Sequence, residues 1–136
     1  MLEKYESKQQ QIRRTAETIY RVVSDFTNFS PVLADRVEGW QATADECSFR
    51  VKGFEVRLLI VDKEEPKMVK IKVVDGGPLD ATFWIQLLEV APYDTRMRLV
   101  LHAEMNMMIK MMVGKKLQPM LDQMAEKIAQ VFNAAY

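Results

Sequence analysis

The sequence has one cysteine, one histidine, five glycines and five prolines in 136 residues. A lone thiol, Cys47, excludes an internal disulfide, and with only His102 beside it there is no Cys/His set for a structural zinc. So few glycines and prolines exclude collagen-like and low-complexity chains. Charge excess is missing too, because nineteen Lys and Arg balance nineteen Asp and Glu. A chain that grips phosphate backbones carries a basic excess or stripe, so no nucleic-acid partner is expected. No apolar run approaches the ~18 to 20 residues of a membrane span. The start, Met1-Leu2-Glu3-Lys4-Tyr5-Glu6, has no signal-peptide core. No stable membrane insertion and a cytoplasmic location are therefore expected. What the chain does have is 49% hydrophobic and 28% charged residues, an ordinary globular balance. Its length suits one domain over residues 1–136.

Periodicity supplies the elements. Residues 2–13 alternate weakly, with Tyr5, Ser7, Gln9 and Gln11 on one parity, and read as a first strand. Thr15 can cap a helix whose apolar face is Ala16, Ile19, Tyr20, Val23 and Phe26. Ser30-Pro31 is a second start signal, predicting a short helix with Val32 and Leu33 that ends near Asp35 or Arg36. From Val37 to Met105 the period becomes two. Apolar parities run through Cys47, Phe49 and Val51, then Val56, Leu58 and Ile60, then Val69, Ile71 and Val73. They continue through Phe83, Ile85 and Leu87 and finish with Met97, Leu99, Leu101, Ala103 and Met105. Short turns at 62–67, 75–79 and 91–95 make these strands antiparallel, with one face covered.

The cover is a C-terminal helix with Ile109, Val113, Leu117, Met120, Met124, Ile128, Val131 and Ala135 on one stripe. Met112, Leu121, Ala125 and Phe132 widen it. Pro119 and Gly114 are weak points, predicting a kink or a helix that begins in earnest only near Leu117. If they hinge, the segment before Pro119 gates a ligand's entry. The fold class is α+β: a curved antiparallel sheet of about seven strands, two short helices after the first strand, and a long C-terminal helix of roughly five turns or more.

This order resembles the START-like, or SRPBCC, superfamily with its helix-grip fold, which includes polyketide cyclases and lipid-transfer domains. The residues that carry the resemblance are the helix 16–25 (AETIYRVVSD), Phe26-Thr27-Asn28-Phe29, Gly39-Trp40, the strand 95–106 and the helix turn 121–125. The resemblance spans essentially the whole chain, and its signals are architectural. It implies a cavity between sheet and long helix. Fold alone does not assign a function.

The cavity wall is expected from Phe29, Phe49, Val51, Leu58, Ile60, Ile71, Phe83, Ile85, Leu87, Leu99, Leu101, Met105, Met112, Met120, Leu121 and Met124. No acid or base lies among them, and general acid–base catalysis needs one within reach of the substrate. No catalytic residue, metal ligand or cofactor is therefore assigned. The methionines suit a pliable wall or gate as well as ordinary core filling. His102 alternates outward and reads as a surface residue, Cys47 as a small buried hydrophobe. Lys110, Lys115 and Lys116 read as a solvated helix end that could steer an anionic head group. The function expected is non-enzymatic binding or transport of a small hydrophobic or amphipathic ligand. Two alternatives stay open. One is a cyclase- or aromatase-type enzyme acting on a polyketide-like substrate, in which Tyr5, Gln9, Gln11 or Glu89 polarises a carbonyl. The other is a co-chaperone-like protein-interaction module. On the outer sheet face Leu59, Val61, Trp84, Leu88 and Val100 break the polar pattern. Clustered, they would make a homodimer patch centred on Trp84; the alternative is a monomer that shields it.

Overall fold

A computed structural model describes residues 1–51, 53–75 and 80–135. The elements are β1 (Leu2–Glu6), β2 (Gln10–Ile12), α1 (Ala16–Val23), a 3-10 turn (Phe26–Phe29) and α2 (Ser30–Leu33). They continue as β3 (Glu38–Ala42), β4 (Glu46–Val51), β5 (Phe54–Glu64), β6 (Met68–Asp75), β7 (Asp80–Ala91), β8 (Asp94–Glu104) and α3 (Met107–Ala135). The strands form one antiparallel, unclosed sheet in the order β1-β8-β7-β6-β5-β4-β3, with β2 also pairing β8. The fold is α+β, a sheet gripping a long helix. The turn expected at 75–79 runs outside the described residues.

The first strand is two strands, and the reason is one serine. Ser7 is buried; its N–H donates to the Leu99 carbonyl at 2.8 Å and its hydroxyl accepts the Leu99 N–H at 2.9 Å. That double engagement interrupts the ladder between β1 and β2 and moves the inward parity by one residue. Ile12, fully buried, faces the core where continued alternation would have put Gln11, and both Gln9 and Gln11 are exposed.

Thr15 caps α1 as expected, its hydroxyl accepting the Thr18 N–H at 3.2 Å. Ser30, expected as the cap of the next helix, is its first residue instead and makes no cap bond. Its hydroxyl accepts the Trp40 indole N–H at 2.8 Å, tying α2 to β3. The helix ends at Leu33, short of Asp35.

The long helix runs unbroken through Pro119 and starts at Met107 rather than near Leu117. Asn106 caps it, accepting the Ile109 N–H at 2.9 Å. Proline supplies no donor to the Lys115 carbonyl, but Lys115 and Pro119 are both exposed, so this break in the ladder lies on the solvent side of the helix. At 29 residues, α3 makes about eight turns. Its deepest line is Leu121, Ala125, Ala129 and Phe132, at most 4% exposed. Met120, Met124 and Val131, on the expected stripe, are 44%, 38% and 46% exposed. The buried line thus sits one residue on from the expected axis, about 100° around the helix.

Along one side, α3 is stitched to the β1–β2 edge by side-chain-to-backbone bonds. Gln118 donates to the Glu6 carbonyl at 2.8 Å, and Asp122 accepts the Lys8 N–H at 2.8 Å. Asn133 accepts the Arg13 N–H at 2.8 Å and donates to the Gln11 carbonyl at 3.0 Å. These bonds pair backbone groups that an edge strand would otherwise leave open to another chain.

Candidate functional site: an apolar cavity beside the long helix

The inner sheet face is longer than α3 can cover. Where β6 and β7 pass α1, the gap is filled by Ile19, Tyr20 and Val23. Away from α1 it stays open, leaving a cavity of about 330 Å³. Phe26, Phe29, Leu33 and Trp40 wall it from the α1-to-β3 segment, and Cys47, Phe49, Leu58, Ile71 and Val73 from β4 to β6. Ala81, Phe83, Ile85, Leu101 and Ala103 form the floor on β7 and β8. The helix adds Leu117, Met120, Leu121, Met124 and Ile128.

Two local choices make the space. Ala81 and Ala103 are directly paired across β7 and β8, so two adjacent floor positions carry only a methyl group. Trp40 and Phe49 stack with centroids 6.1 Å apart, bracing the wall opposite the helix. The hydrogen bond to Ser30 occupies the one polar atom of the indole. Among the described residues, none that lines it is an acid, a histidine, a lysine or an arginine. The thiol of Cys47 is the one titratable group on the wall among the described residues. Burial, then the nearby Glu46 carboxylate, push it up to about 11 against a weaker opposing bond from the Leu58 backbone. It is a neutral thiol at physiological pH, a poor nucleophile. Among the described residues no group of three or more His, Cys, Asp or Glu could hold a metal ion.

Ten of the sixteen expected wall residues line this cavity: Phe29, Phe49, Leu58, Ile71, Phe83, Ile85, Leu101, Met120, Leu121 and Met124. Ile60, Leu87, Leu99 and Met105 are buried in the core but off the cavity wall, because the inner face extends beyond the open region. Met112 is 67% exposed, because the first turns of α3 precede the stretch that lines the cavity. The Val51 side chain is outside those described. Sequence reasoning did not assign Phe26, Leu33, Trp40, Cys47, Val73, Ala81, Ala103, Leu117 and Ile128 to the wall. Cys47, Val73 and Ala103 lay on the inward parities, and Leu117 and Ile128 on the helix stripe, so a signal existed for those. Phe26 and Trp40 reach the wall only through folding of the irregular segment around α2.

The polar groups considered for carbonyl polarisation lie elsewhere. Glu89 accepts the Ala16 N–H at 2.7 Å and so holds the start of α1. Gln11 donates to Asp94 at 3.3 Å on the surface, and Gln9 is exposed. Tyr5 packs against the core beside Gly114 rather than on the cavity wall. On the outer face, Trp84 is half-buried, with the His102 ring edge-on at 4.6 Å and the Lys70 ammonium 5.6 Å from its centroid. Val100 beside it is buried, whereas Leu88 and Val61 are exposed.

No family model matches the sequence, and no curated protein matches it. Solved structures do match the fold. Norcoclaurine synthase from Thalictrum flavum, solved with dopamine and hydroxybenzaldehyde, superposes with a TM-score of 0.77 at 15% identity, over 100% of this chain and 89% of that one. A START superfamily protein from Mycobacterium smegmatis gives 0.65 at 15% identity, over 96% and 98% of the two chains. CalU16 from Micromonospora echinospora gives 0.56 at 16%, over 99% and 87%. The chain has the START-like, or SRPBCC, fold. At these identities the likeness is one of fold.

Proposed function

We propose that this chain, as one START-like domain over residues 1–136, binds a small hydrophobic or amphipathic molecule in the cavity and carries it without transforming it, in the cytoplasm. The observation that carries the reading is a cavity of about 330 Å³ whose described lining residues include no acid, histidine, lysine or arginine. Filled at the density of a protein interior, it takes about a dozen non-hydrogen atoms. Apolar burial at roughly 25 cal/mol per Å² supplies the affinity, less the cost of immobilising the ligand. A polar group of the ligand belongs at the mouth, since the described wall residues offer it only the weak thiol of Cys47. The half-exposed Met120 and Met124 at that mouth adapt to more than one shape. Support by analogy comes from the norcoclaurine synthase structure, where the same fold was solved with two small aromatic molecules.

The test is titration with N-phenyl-1-naphthylamine, an uncharged fluorescent apolar probe, against the native chain and Val73→Phe, which fills the cavity from β6. The native chain should bind one equivalent and the variant about tenfold more weakly. Binding that is absent, or unchanged in a folded Val73→Phe protein, refutes the reading. Extraction and mass spectrometry of protein from its own host would then identify the natural ligand.

A further inference from the structure

The outward side of α3 changes character along its length. Near its end that side carries Gln123, Glu126, Lys127 and Gln130, the polar set expected of a solvated helix face. At its start the same side carries Met108, Met111 and Met112 with Lys115, spaced i, i+3, i+4 and i+7, so all share one face. Glu126 lies on the same line as Met108, about five turns further on. The methionines at 107, 108, 111 and 112 are 70%, 70%, 82% and 67% exposed, so they fill neither core nor cavity. A solvent-facing helix turn built of methionine has no folding role that would keep it apolar.

Charge distinguishes what covers it. From Met105 to Leu121 the sequence has no acidic residue, while Lys110, Lys115 and Lys116 are all there. Lys110 is paired with Glu3 at 2.7 Å. Lys115 and Lys116 are exposed and enter none of the ion pairs among the described residues. Pliable apolar side chains flanked by uncompensated lysines on a chain of zero net charge match a surface that is apolar inside and anionic outside. The cavity wall begins at Leu117, about one to two turns beyond Met112.

We propose that the first turns of α3 dock peripherally on an anionic lipid surface, with Met108, Met111 and Met112 entering the headgroup–acyl boundary and Lys115 and Lys116 held against the phosphates. This rests on the cavity reading only for its purpose, which is to bring the mouth to a source of apolar ligand. The docking contact itself is independent of it.

The experiment is co-sedimentation of the full chain with vesicles of phosphatidylcholine alone and with added phosphatidylserine, at low and high salt. Native protein should partition onto the anionic vesicles, release as salt rises, and bind the neutral ones at least about tenfold more weakly. Met108→Gln/Met111→Gln/Met112→Gln should lose about tenfold in partitioning, and Lys115→Glu/Lys116→Glu should lose the preference for anionic lipid. Because these side chains are exposed, both variants should keep the native circular dichroism spectrum and N-phenyl-1-naphthylamine affinity. Equal binding by the methionine variant, or native protein that stays in solution with anionic vesicles, overturns the proposal. A concentration-dependent dimer that the methionine substitutions dissolve also overturns it, assigning the face to a second copy. Failure of the probe to bind any protein would refute the cavity reading and leave the vesicle result standing.

Discussion

Along its β1–β2 side, α3 is closed by Gln118, Asp122 and Asn133, each bonded to backbone of β1, β2 or the residues next to them, over the buried line Leu121, Ala125, Ala129 and Phe132, of which Leu121 also borders the cavity. Along the other side it presents Leu117, Met120 and Met124 to an open cavity and, among the described residues, makes none of these side-chain bonds. Both sides belong to one helix and both are apolar near the sheet. The difference is in what completes them. The closed side has directional bonds and small residues that fix one packing distance. The open side has flexible side chains and unfilled volume, which costs stability and creates room for a ligand. The unfilled volume lies on the side that folding left unfinished.

The sharpest way to break this comparison is Phe132→Ala, which removes the largest side chain of the buried line at a position off the cavity wall. It should cost about 3–5 kcal/mol of stability in chemical denaturation. A loss below about 1 kcal/mol would mean that the closed side does not hold the helix. Pro119→Ala should act in the opposite direction, restoring a donor to the Lys115 carbonyl and adding about 1 kcal/mol. If the first turns move about this point, the same variant should slow exchange of N-phenyl-1-naphthylamine in stopped flow while changing its affinity less. Identical exchange rates would place the entry route elsewhere.

Asp122→Ala removes a seam bond and should cost about 0.5–1 kcal/mol near neutral pH. The Lys8 N–H, then Gln118, hold the Asp122 carboxyl below its ordinary range. Its folded pKa is therefore below its unfolded one, so its contribution is full above about pH 4 and fades as pH falls through the folded value. Native and variant stabilities should converge in acid, and a gap that persists at pH 2 would contradict the assignment. On the open side, Met124→Ala should change stability by no more than about 0.5 kcal/mol while weakening the apolar probe several-fold. A large stability loss with unchanged probe affinity would make Met124 a core residue. The smallest effect expected is at Cys47, whose alkylation by N-ethylmaleimide should rise with pH up to about 11 and slow when the probe is bound.

Much of the architecture is legible in the residue pattern. Strand alternation in β4 through β8 marks the inward face, because a period of two leaves little freedom once one side is apolar. The Thr15 cap and the order of elements are equally local signals. The departures from expectation have local causes as well. Ser7 turns one strand into two by taking both backbone groups of Leu99. Ser30 gives its hydroxyl to Trp40 instead of its own helix. Neither choice is visible without the partner, since a serine offers the same donor and acceptor in every reading.

The sequence by itself determined that a two-period sheet would meet a 3.6-period helix through apolar faces, since those periods follow from backbone geometry. Tertiary structure alone decided how far α3 rolls about its axis, and thus which of its apolar residues are core and which border a cavity. The apolar arc of that helix is wider than the sheet can cover, and hydrophobicity is not directional. The roll goes with hydrogen bonds that join the helix to the backbone of residues 6–13, more than one hundred positions away in the chain.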